Sequence, residues 1–148
     1  MFLRIVSVGV WKAIPERDLF ERYLKRTQAW RVELVEIKNQ PSKFLEGEKI
    51  CQKLCPSEEV VIALDEQGEE LSTRQFAQML ATYEAGPKKV CTFVIGGADG
   101  LDDSVGQLAD RKISFGRMTW PHFLVRVLLA EQIYRIQQLR TGHPYHRG

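Results

Sequence analysis

Short apolar runs alternate along the chain with stretches of helical period. Alternation of this kind is typical of a mainly parallel sheet covered by helices. We therefore predict an α/β fold. Five apolar runs predict strands, at Phe2–Gly9, Trp30–Ile37, Glu59–Leu64, Lys89–Ile95 and Lys112–Phe115.

The composition of two of these runs predicts their place in the sheet. Glu59–Leu64 reads EVVIAL, a continuous apolar run that suits a central parallel strand covered on both faces. Trp30–Ile37 alternates apolar and charged residues, which is typical of a half-exposed strand nearer a sheet edge. A turn is expected around Gln67 and Gly68, between the third strand and the next helix.

Residues that start and stop helices divide the rest of the chain. Pro15 suits a first helical turn, since proline there loses no intrahelical hydrogen bond. Ser72 is a candidate N-cap, and Pro56 would stop a short helix before it. The expected helices run from Pro15 through Leu24, from Lys43 to Cys55, from Ser72 to near Ala85, from Asp102 or Asp103 to about Ala109, and from Pro121 or His122 to about Leu139.

The last helix has more apolar surface than one sheet contact requires. Seven of the eight residues from Phe123 to Ala130 are apolar, with Arg126 the exception. A helix on the outside of a sheet needs only one apolar face. The second face must pack against something else, and we expect a homodimer with this helix in the interface.

Length and composition predict one soluble domain spanning residues 1–148. The chain has 148 residues, of which 44% are hydrophobic and 27% charged. No apolar run approaches the roughly 20 residues that span a bilayer, so we expect a cytoplasmic protein without a membrane partner. Three cysteines in no framework spacing indicate reduced thiols. Cys51 and Cys55, one turn apart, are interpreted as the buried face of a helix rather than as metal ligands, and we expect no metal.

Charge is distributed unevenly along the chain. Residues 111–148 contain seven Lys or Arg and a single acidic residue, a local charge of +6, and they include all three histidines. The first 110 residues carry a local charge of −4. This asymmetry is typical of a surface that meets a polyanion such as a nucleic acid, although a solvated face gives the same pattern.

Three segments lie where ligands bind in open α/β sheets, after the carboxyl ends of strands. The first is IGGADG, which follows the fourth strand and is either a tight turn or a ligand loop. The second is Gly116–Pro121, whose Trp120 is either a core residue or a stacking surface for a purine-like ring. Leu64 ends a third strand, so these three strand ends are expected to form one pocket.

The terminal segment Arg140–Gly148, RTGHPYHRG, is a further candidate. Two histidines, a tyrosine and two arginines in nine residues can bind phosphate, stack on a base and exchange a proton near neutral pH. Chain ends are usually disordered, but a disordered end has little use for so many aromatic and imidazole groups. We therefore favour a functional tail.

Taken together, these segments resemble a known family. VIALD, VIGGADG, MTWPHFLVRVLLAEQIYR and a terminal HPYHR occur in this order, preceded by LRIVSVG and ERYLKR. In this combination they resemble the ribosomal large-subunit pseudouridine methyltransferase family of the SPOUT superfamily. Trp120 stands where that family more often has a smaller apolar residue. The resemblance covers nearly the whole chain.

The resemblance implies a fold and an activity. The fold would be a SPOUT-type, mainly parallel sheet flanked by helices, with the C-terminal part threaded through a loop to form a deep trefoil knot. The activity would be transfer of a methyl group from S-adenosylmethionine to ring nitrogen 3 of a pseudouridine in large-subunit ribosomal RNA. The family acts on assembled ribosomes as a homodimer.

The resemblance also implies site residues. Those of the cofactor pocket would be Leu64, Gly97 and the run Gly116, Arg117, Met118, Thr119, Trp120 and Pro121, with Gly96 shaping it. Those facing the target nucleotide would be Tyr145, His146 and Arg147 in the tail and Arg126 in the last helix. His146, or a water that it holds, would take the imide proton, and Arg147 would stabilise the developing negative charge.

Two other functions remain compatible with the sequence. The basic C-terminal third would serve a non-catalytic RNA-binding or ribosome-binding protein equally well. A SPOUT methyltransferase acting on another RNA, such as a tRNA, is the second alternative.

Overall fold

Five parallel strands form one sheet, and five helices cover it. A computed structural model describes residues 1–148, and the strand order across the sheet is β2-β1-β4-β3-β5. The elements, in chain order, are β1 (Phe2–Val8), α1 (Pro15–Arg26), β2 (Arg31–Ile37), α2 (Lys43–Cys51), β3 (Glu59–Glu70), α3 (Thr73–Ala85), β4 (Val90–Ile95), α4 (Asp103–Leu108), β5 (Arg111–Ser114) and α5 (His122–Arg140).

The predicted α/β architecture is confirmed. Each of the five apolar runs forms a strand, and every strand pair is parallel. The alternating run forms β2, which lies at one edge of the sheet, and the continuous apolar run lies within β3, between β4 and β5. Ser72 caps α3 as expected, and Gln75 completes a capping box with it.

Alternation along the strands divides the core into two clusters. Ile5 in β1 faces the larger cluster, which also contains residues of α1, α3 and α5. Its neighbour Val6 faces the smaller cluster, under α2 and α4. The sheet is therefore covered on both faces, as its apolar strands require. None of the helices is long and apolar enough to traverse a lipid bilayer.

The end of α2 differs from the prediction. The helix stops at Cys51. The next turn is closed by backbone hydrogen bonds that span three residues instead of four, from Lys53 N to Ile50 O and from Leu54 N to Cys51 O. Pro56 disfavours helical geometry in the residue before it. Cys55 is therefore exposed outside the helix rather than on its buried face, and that interpretation of the two cysteines was wrong.

Strand β3 is longer than its apolar run. The predicted turn at Gln67 and Gly68 lies inside the strand as an interruption of residues 65–68, where Gln67 N donates to the Asp65 carboxylate at 2.9 Å. Ile113 of β5 pairs with Leu64 before the interruption and with Glu69 after it. A Cβ at Gly68 would lie 2.8 Å from backbone atoms of Ile113, so the two main chains are in direct contact.

We predict that Gly68→Ala destabilises the protein by about 1–3 kcal/mol, because neither backbone can move aside for a methyl group. Urea denaturation followed by circular dichroism measures the change. Gly106→Ala is the matched control, since its Cβ would meet only the flexible end of Lys112 and alanine favours the helix. Equal stability of wild type and Gly68→Ala would contradict the close contact.

A buried arginine connects α5 to the ends of β1 and β2. The Arg126 side chain is fully buried, and its guanidinium donates to Ser7 Oγ at 2.8 Å and to Glu36 Oε2 at 2.7 Å. It also donates to the carbonyl oxygens of Val8 and Gly9, at 3.2 and 2.6 Å. Burial lowers the pKa of Arg126, while the Glu36 carboxylate opposes that shift and keeps the charge compensated.

Aromatic rings enclose the same guanidinium. Its central carbon lies 4.4 Å from the ring centroid of Trp11 and 4.8 Å from that of Phe123. Both distances are within the range of cation–π attraction. The backbone N–H of Trp11 also donates to Glu36 Oε2 at 2.9 Å, so the carboxylate is shared by helix and loop.

We predict that Arg126→Leu destabilises the fold by about 3–5 kcal/mol, since it leaves the Glu36 carboxylate without its counterion and two carbonyl groups without this donor. Arg17→Leu, which breaks an exposed pair with Glu21 on α1, should cost about 0–1 kcal/mol. Thermal or urea unfolding of both variants makes the comparison. Similar small losses in the two would show that the buried cluster contributes little.

Candidate active site

Strand register brings the three candidate strand ends together. Leu64 of β3 pairs with Ile95 of β4 on one side and with Ile113 of β5 on the other. IGGADG begins at Ile95, and the second candidate loop begins three residues after Ile113. The three segments therefore begin at neighbouring positions at the carboxyl ends of the strands, as the sequence predicted.

The glycines after β4 form a tight turn. Gly100 N donates to Gly97 O at 3.0 Å, and Gly100 has a positive φ of 81°. A Cβ at Gly96 would lie 2.6 Å from the Gly100 oxygen. A Cβ at Gly97 would lie 3.1 and 3.2 Å from the two carboxylate oxygens of Glu46. The turn alternative is therefore present, and packing requires the lack of a side chain at Gly96, where the close neighbour is backbone.

The loop Gly116–Pro121 is held mainly by its backbone and by β3. Gly116 has a φ of 113°, and its N–H donates to Ser114 Oγ at 3.0 Å. Thr119 Oγ1 donates to a carboxylate oxygen of Glu66 at 2.8 Å. The side chains of residues 117–121 are exposed, among them Met118 at 74% and Trp120 at 41%. Trp120 is therefore not a core residue, and the loop presents an apolar surface to solvent.

A cavity of about 440 Å³ lies beside this loop, between β5, the start of α3 and the middle of α5. The size falls in the range of small-molecule sites. Its walls combine aromatic rings with the polar side chains of Ser72, Thr73 and Gln132. Gly116 and Trp120 line it, whereas Leu64, Gly96 and Gly97 do not. Arg117 lines a second, polar cavity with Glu66 and Glu70.

The tail packs against α5. The ring centroid of Tyr145 lies 4.9 Å from the ring centroid of Tyr134. It lies 4.7 Å from the guanidinium carbon of Arg135. Tyr145 donates its hydroxyl hydrogen to Glu131 Oε1 at 3.1 Å. Burial raises the pKa of Tyr145, and hydrogen bonding to Tyr23 and the charge of Glu131 act in the same direction. The phenol therefore stays protonated at neutral pH and acts as a donor.

His146 and Arg147 occupy different environments. His146 Nδ1 lies 3.4 Å from the Arg135 guanidinium, and Nε2 lies 3.1 Å from the Gly148 carbonyl oxygen. That oxygen accepts from Arg74 Nε at 2.9 Å, so the chain end is fixed to α3. Arg147 is exposed and makes no hydrogen bond within the chain.

Two side chains that hold the tail were not among the predicted site residues. Arg135 donates to Glu131 Oε1 at 2.8 Å through Nε, and both side chains also contact Tyr145. A Glu followed four residues later by Arg on a helix is a recognisable sequence signal. The apolar run that precedes Glu131 in α5 dominates the pattern of this helix, so the pair was not among the predicted site residues.

The predicted residues do not form one cluster within a single chain. The expectation that Arg126 faces a target nucleotide disagrees with its complete burial, since all its donors are directed at β1 and β2. The hydrogen bonds of the tail go to α3, α5 and the tail itself, and none joins it to Leu64, Gly97 or the loop Gly116–Pro121. Within one chain, the tail therefore makes no direct hydrogen bond to the candidate cleft, by which we mean Leu64, Gly97 and the loop Gly116–Pro121.

Comparison with known proteins gives full-length matches. A family described as "Predicted SPOUT methyltransferase" matches residues 1–146. A protein of Rhodospirillum centenum named Ribosomal RNA large subunit methyltransferase H is 43% identical over 154 aligned positions, covering 100% of both chains. Proteins of the same name from Paramagnetospirillum magneticum and Gluconacetobacter diazotrophicus are 44% and 43% identical, covering 99% of this chain and 99% and 97% of theirs.

The architecture agrees with these matches, since the five-stranded parallel sheet flanked by helices is the one that the resemblance implied. Members of this family use S-adenosylmethionine as methyl donor. Family profile and relatives both extend over essentially the whole chain. This chain belongs to the SPOUT methyltransferase family.

Proposed function

We propose that this protein transfers a methyl group from S-adenosylmethionine to ring nitrogen 3 of a pseudouridine in the large-subunit ribosomal RNA of assembled ribosomes. The observation that carries the proposal is the full-length identity of about two residues in five to relatives named as ribosomal RNA large subunit methyltransferases. The convergence of three strand ends at Leu64, Ile95 and Ile113 gives that activity a place for its cofactor.

The residues at this edge suit a nucleoside cofactor. Exposed Trp120 offers a flat apolar surface, and the space beside Gly116 where a side chain would be is open, so a ligand can approach the main chain there. We assign the cofactor to Leu64, Gly97 and the loop Gly116–Pro121, with Gly96 shaping the turn. When bound, S-adenosylmethionine supplies an electrophilic methyl group on a sulfonium, and this chemistry requires no metal ion.

The chain must orient the pyrimidine and accept its imide proton. His146 is the group we assign as proton acceptor, directly or through a water. Arg147, exposed and without an internal partner, would bind RNA and stabilise negative charge on the ring. Tyr145 remains protonated, so its part is to position the tail against Glu131 rather than to act as a base. Positioning supplies much of the rate in such a transfer.

We propose a homodimer in which the tail of one subunit serves the cleft of the other. Leu124, Val125 and Leu128 of α5 stay partly exposed although they are apolar, which supports a second covered face. The lack of hydrogen bonds between tail and cleft within one chain supports action across the interface. Sedimentation should give a dimer at micromolar concentration, and a stable monomer would contradict this arrangement.

We also propose the deep trefoil knot of the superfamily. The proposal is supported by the interruption of β3 at residues 65–68. Leu64 before the interruption and Glu69 after it both pair with Ile113, and Gly68 lies against the backbone of Ile113. Such a path is expected where one segment passes beneath another. Because α5 and the tail follow β5 directly, the threaded part would include the whole proposed RNA-facing end.

We predict that His146→Ala reduces methyl transfer to ribosomes by about 10²–10⁴-fold, the usual contribution of a positioned base. Transfer of labelled methyl groups from the cofactor to ribosomes from cells that lack the protein measures it. His143→Ala is the matched control, since His143 is exposed and only accepts from the Tyr145 backbone N–H. Wild-type turnover in His146→Ala would refute this assignment.

We predict that Arg147→Ala weakens binding to ribosomes and lowers turnover, while Arg22→Ala, which removes an exposed arginine on α1, changes neither. Filter binding at several salt concentrations would show a smaller salt dependence for Arg147→Ala, since one phosphate contact is lost. Unchanged binding and turnover would make the tail an ordered chain end only.

One experiment tests the proposed activity as a whole. Mass spectrometry of ribosomal RNA from cells lacking the protein should show one pseudouridine without its methyl group, restored by the wild-type gene. An unchanged large-subunit RNA together with a missing methyl group in a tRNA would favour another RNA target. RNA binding without calorimetric uptake of S-adenosylmethionine would favour a non-catalytic binder.

A further inference from the structure

Glu46 is a buried carboxylate without an adequate partner. It lies in α2 with 8% of its surface exposed. Its one hydrogen-bond contact is with the backbone N–H of Gln40, at the long distance of 3.5 Å, and it forms no ion pair. Burial of a charged group is costly unless hydrogen bonds or an opposite charge replace its hydration. The carboxylate is therefore short of donors.

The other buried acidic residue of the chain shows what is missing. Glu59 is 4% exposed, and its carboxylate accepts from Arg4, from Thr92 Oγ1 and from the backbone N–H of Cys55, all within 3.0 Å. Glu46 has no counterpart to any of these. Every fully enclosed side-chain polar atom in the protein has a partner, so the unpartnered Oε1 of Glu46 must be reached by solvent.

The position of Glu46 is fixed by close packing. A Cβ at the next residue, Gly47, would lie 2.8 Å from Asp102 Cβ, so α2 is pressed against the start of α4. This approach brings both Glu46 oxygens to 3.1 and 3.2 Å from the place where Gly97 would carry a side chain. Gly97 is the residue of the β4 turn that we assign to the cofactor. The Glu46 carboxylate thus lies directly against Gly97, on the side where any other residue would carry its Cβ.

We infer that Glu46 is a cofactor-binding residue whose carboxylate accepts hydrogen bonds from donor groups of S-adenosylmethionine. The inference rests on the proposed function and extends the site to α2, on the opposite face of the sheet from α5. Three parts of the cofactor present the donors that a carboxylate needs, the adenine amino group, the ribose hydroxyls and the α-ammonium group. The cofactor also carries positive charge, which favours a carboxylate that has no internal counterion.

Calorimetric titration with S-adenosylhomocysteine tests the inference without requiring turnover. Glu46→Gln should weaken binding about tenfold or more, the scale of a lost hydrogen bond to a charged group. Glu48→Gln is the matched control, because it makes the same change on an exposed residue of the same helix. Equal affinity of wild type and Glu46→Gln would overturn the inference and leave the proposed function intact.

A second ligand identifies which donor group is bound. 5′-Methylthioadenosine retains the ribose but lacks the amino acid part. If Glu46 holds the nucleoside part, Glu46→Gln weakens both ligands by the same factor; if it holds the ammonium group, only S-adenosylhomocysteine is affected. Both results support the inference. A wild-type protein that binds neither ligand would overturn the cofactor site itself, and the role of Glu46 with it.

A purely structural role is separated by stability and by a conservative variant. Unfolding without ligand should give similar midpoints for Glu46→Gln and Glu48→Gln, and a lower midpoint with unchanged affinity would overturn the inference. Should Glu46→Gln fail to fold, Glu46→Asp carries the test, since it keeps the charge but withdraws it by one methylene. Weaker binding by Glu46→Asp supports the role of Glu46 and unaltered binding overturns it.

Discussion

The hydrogen bonds of one buried guanidinium fix how the C-terminal helix meets the sheet. Arg126 joins α5 to β1 through Ser7 and two carbonyl groups, and to β2 through Glu36. Because a fork of donors has defined directions, this contact sets both the rotation and the depth of the helix. The loop Gly116–Pro121 ends where α5 begins, and Tyr145 of the tail packs against the same helix. The positions of the candidate cleft and of the tail both depend on how α5 is held against the sheet.

Much of the fold could be predicted from local pattern, and the deviations have non-local causes. Continuous and alternating apolar runs were enough to place β2 at an edge and β3 inside the sheet. Nothing near Gly68 in sequence shows that Ile113 will press against it, since the contact forms between residues far apart in the chain. The expectation that Arg126 faces the target nucleotide failed for the same reason, because the acceptors of its hydrogen bonds lie about a hundred residues before it in the chain.

The candidate site was predictable in outline but not in its supporting residues. Glycine turns after parallel strands and a basic, aromatic tail indicated where ligands would bind, and the family resemblance supplied the individual residues. Glu131 and Arg135 could have been found from their helical spacing. Glu46 could not, because a glutamate in a polar helical segment reads as solvent-exposed until the fold places it against Gly97.

The interrupted strand β3 also affects how the sheet meets other chains. An edge strand normally offers unpaired amides and carbonyls that can recruit a foreign strand and start aggregation. At β5 the returning residues Glu69 and Glu70 pair with Ile113 and Ser114 and bring two carboxylates to that border. β2 is then the more open border, and its outward residues Arg31 and Glu33 are charged. Both margins of the sheet are thereby poor templates for intermolecular β-pairing.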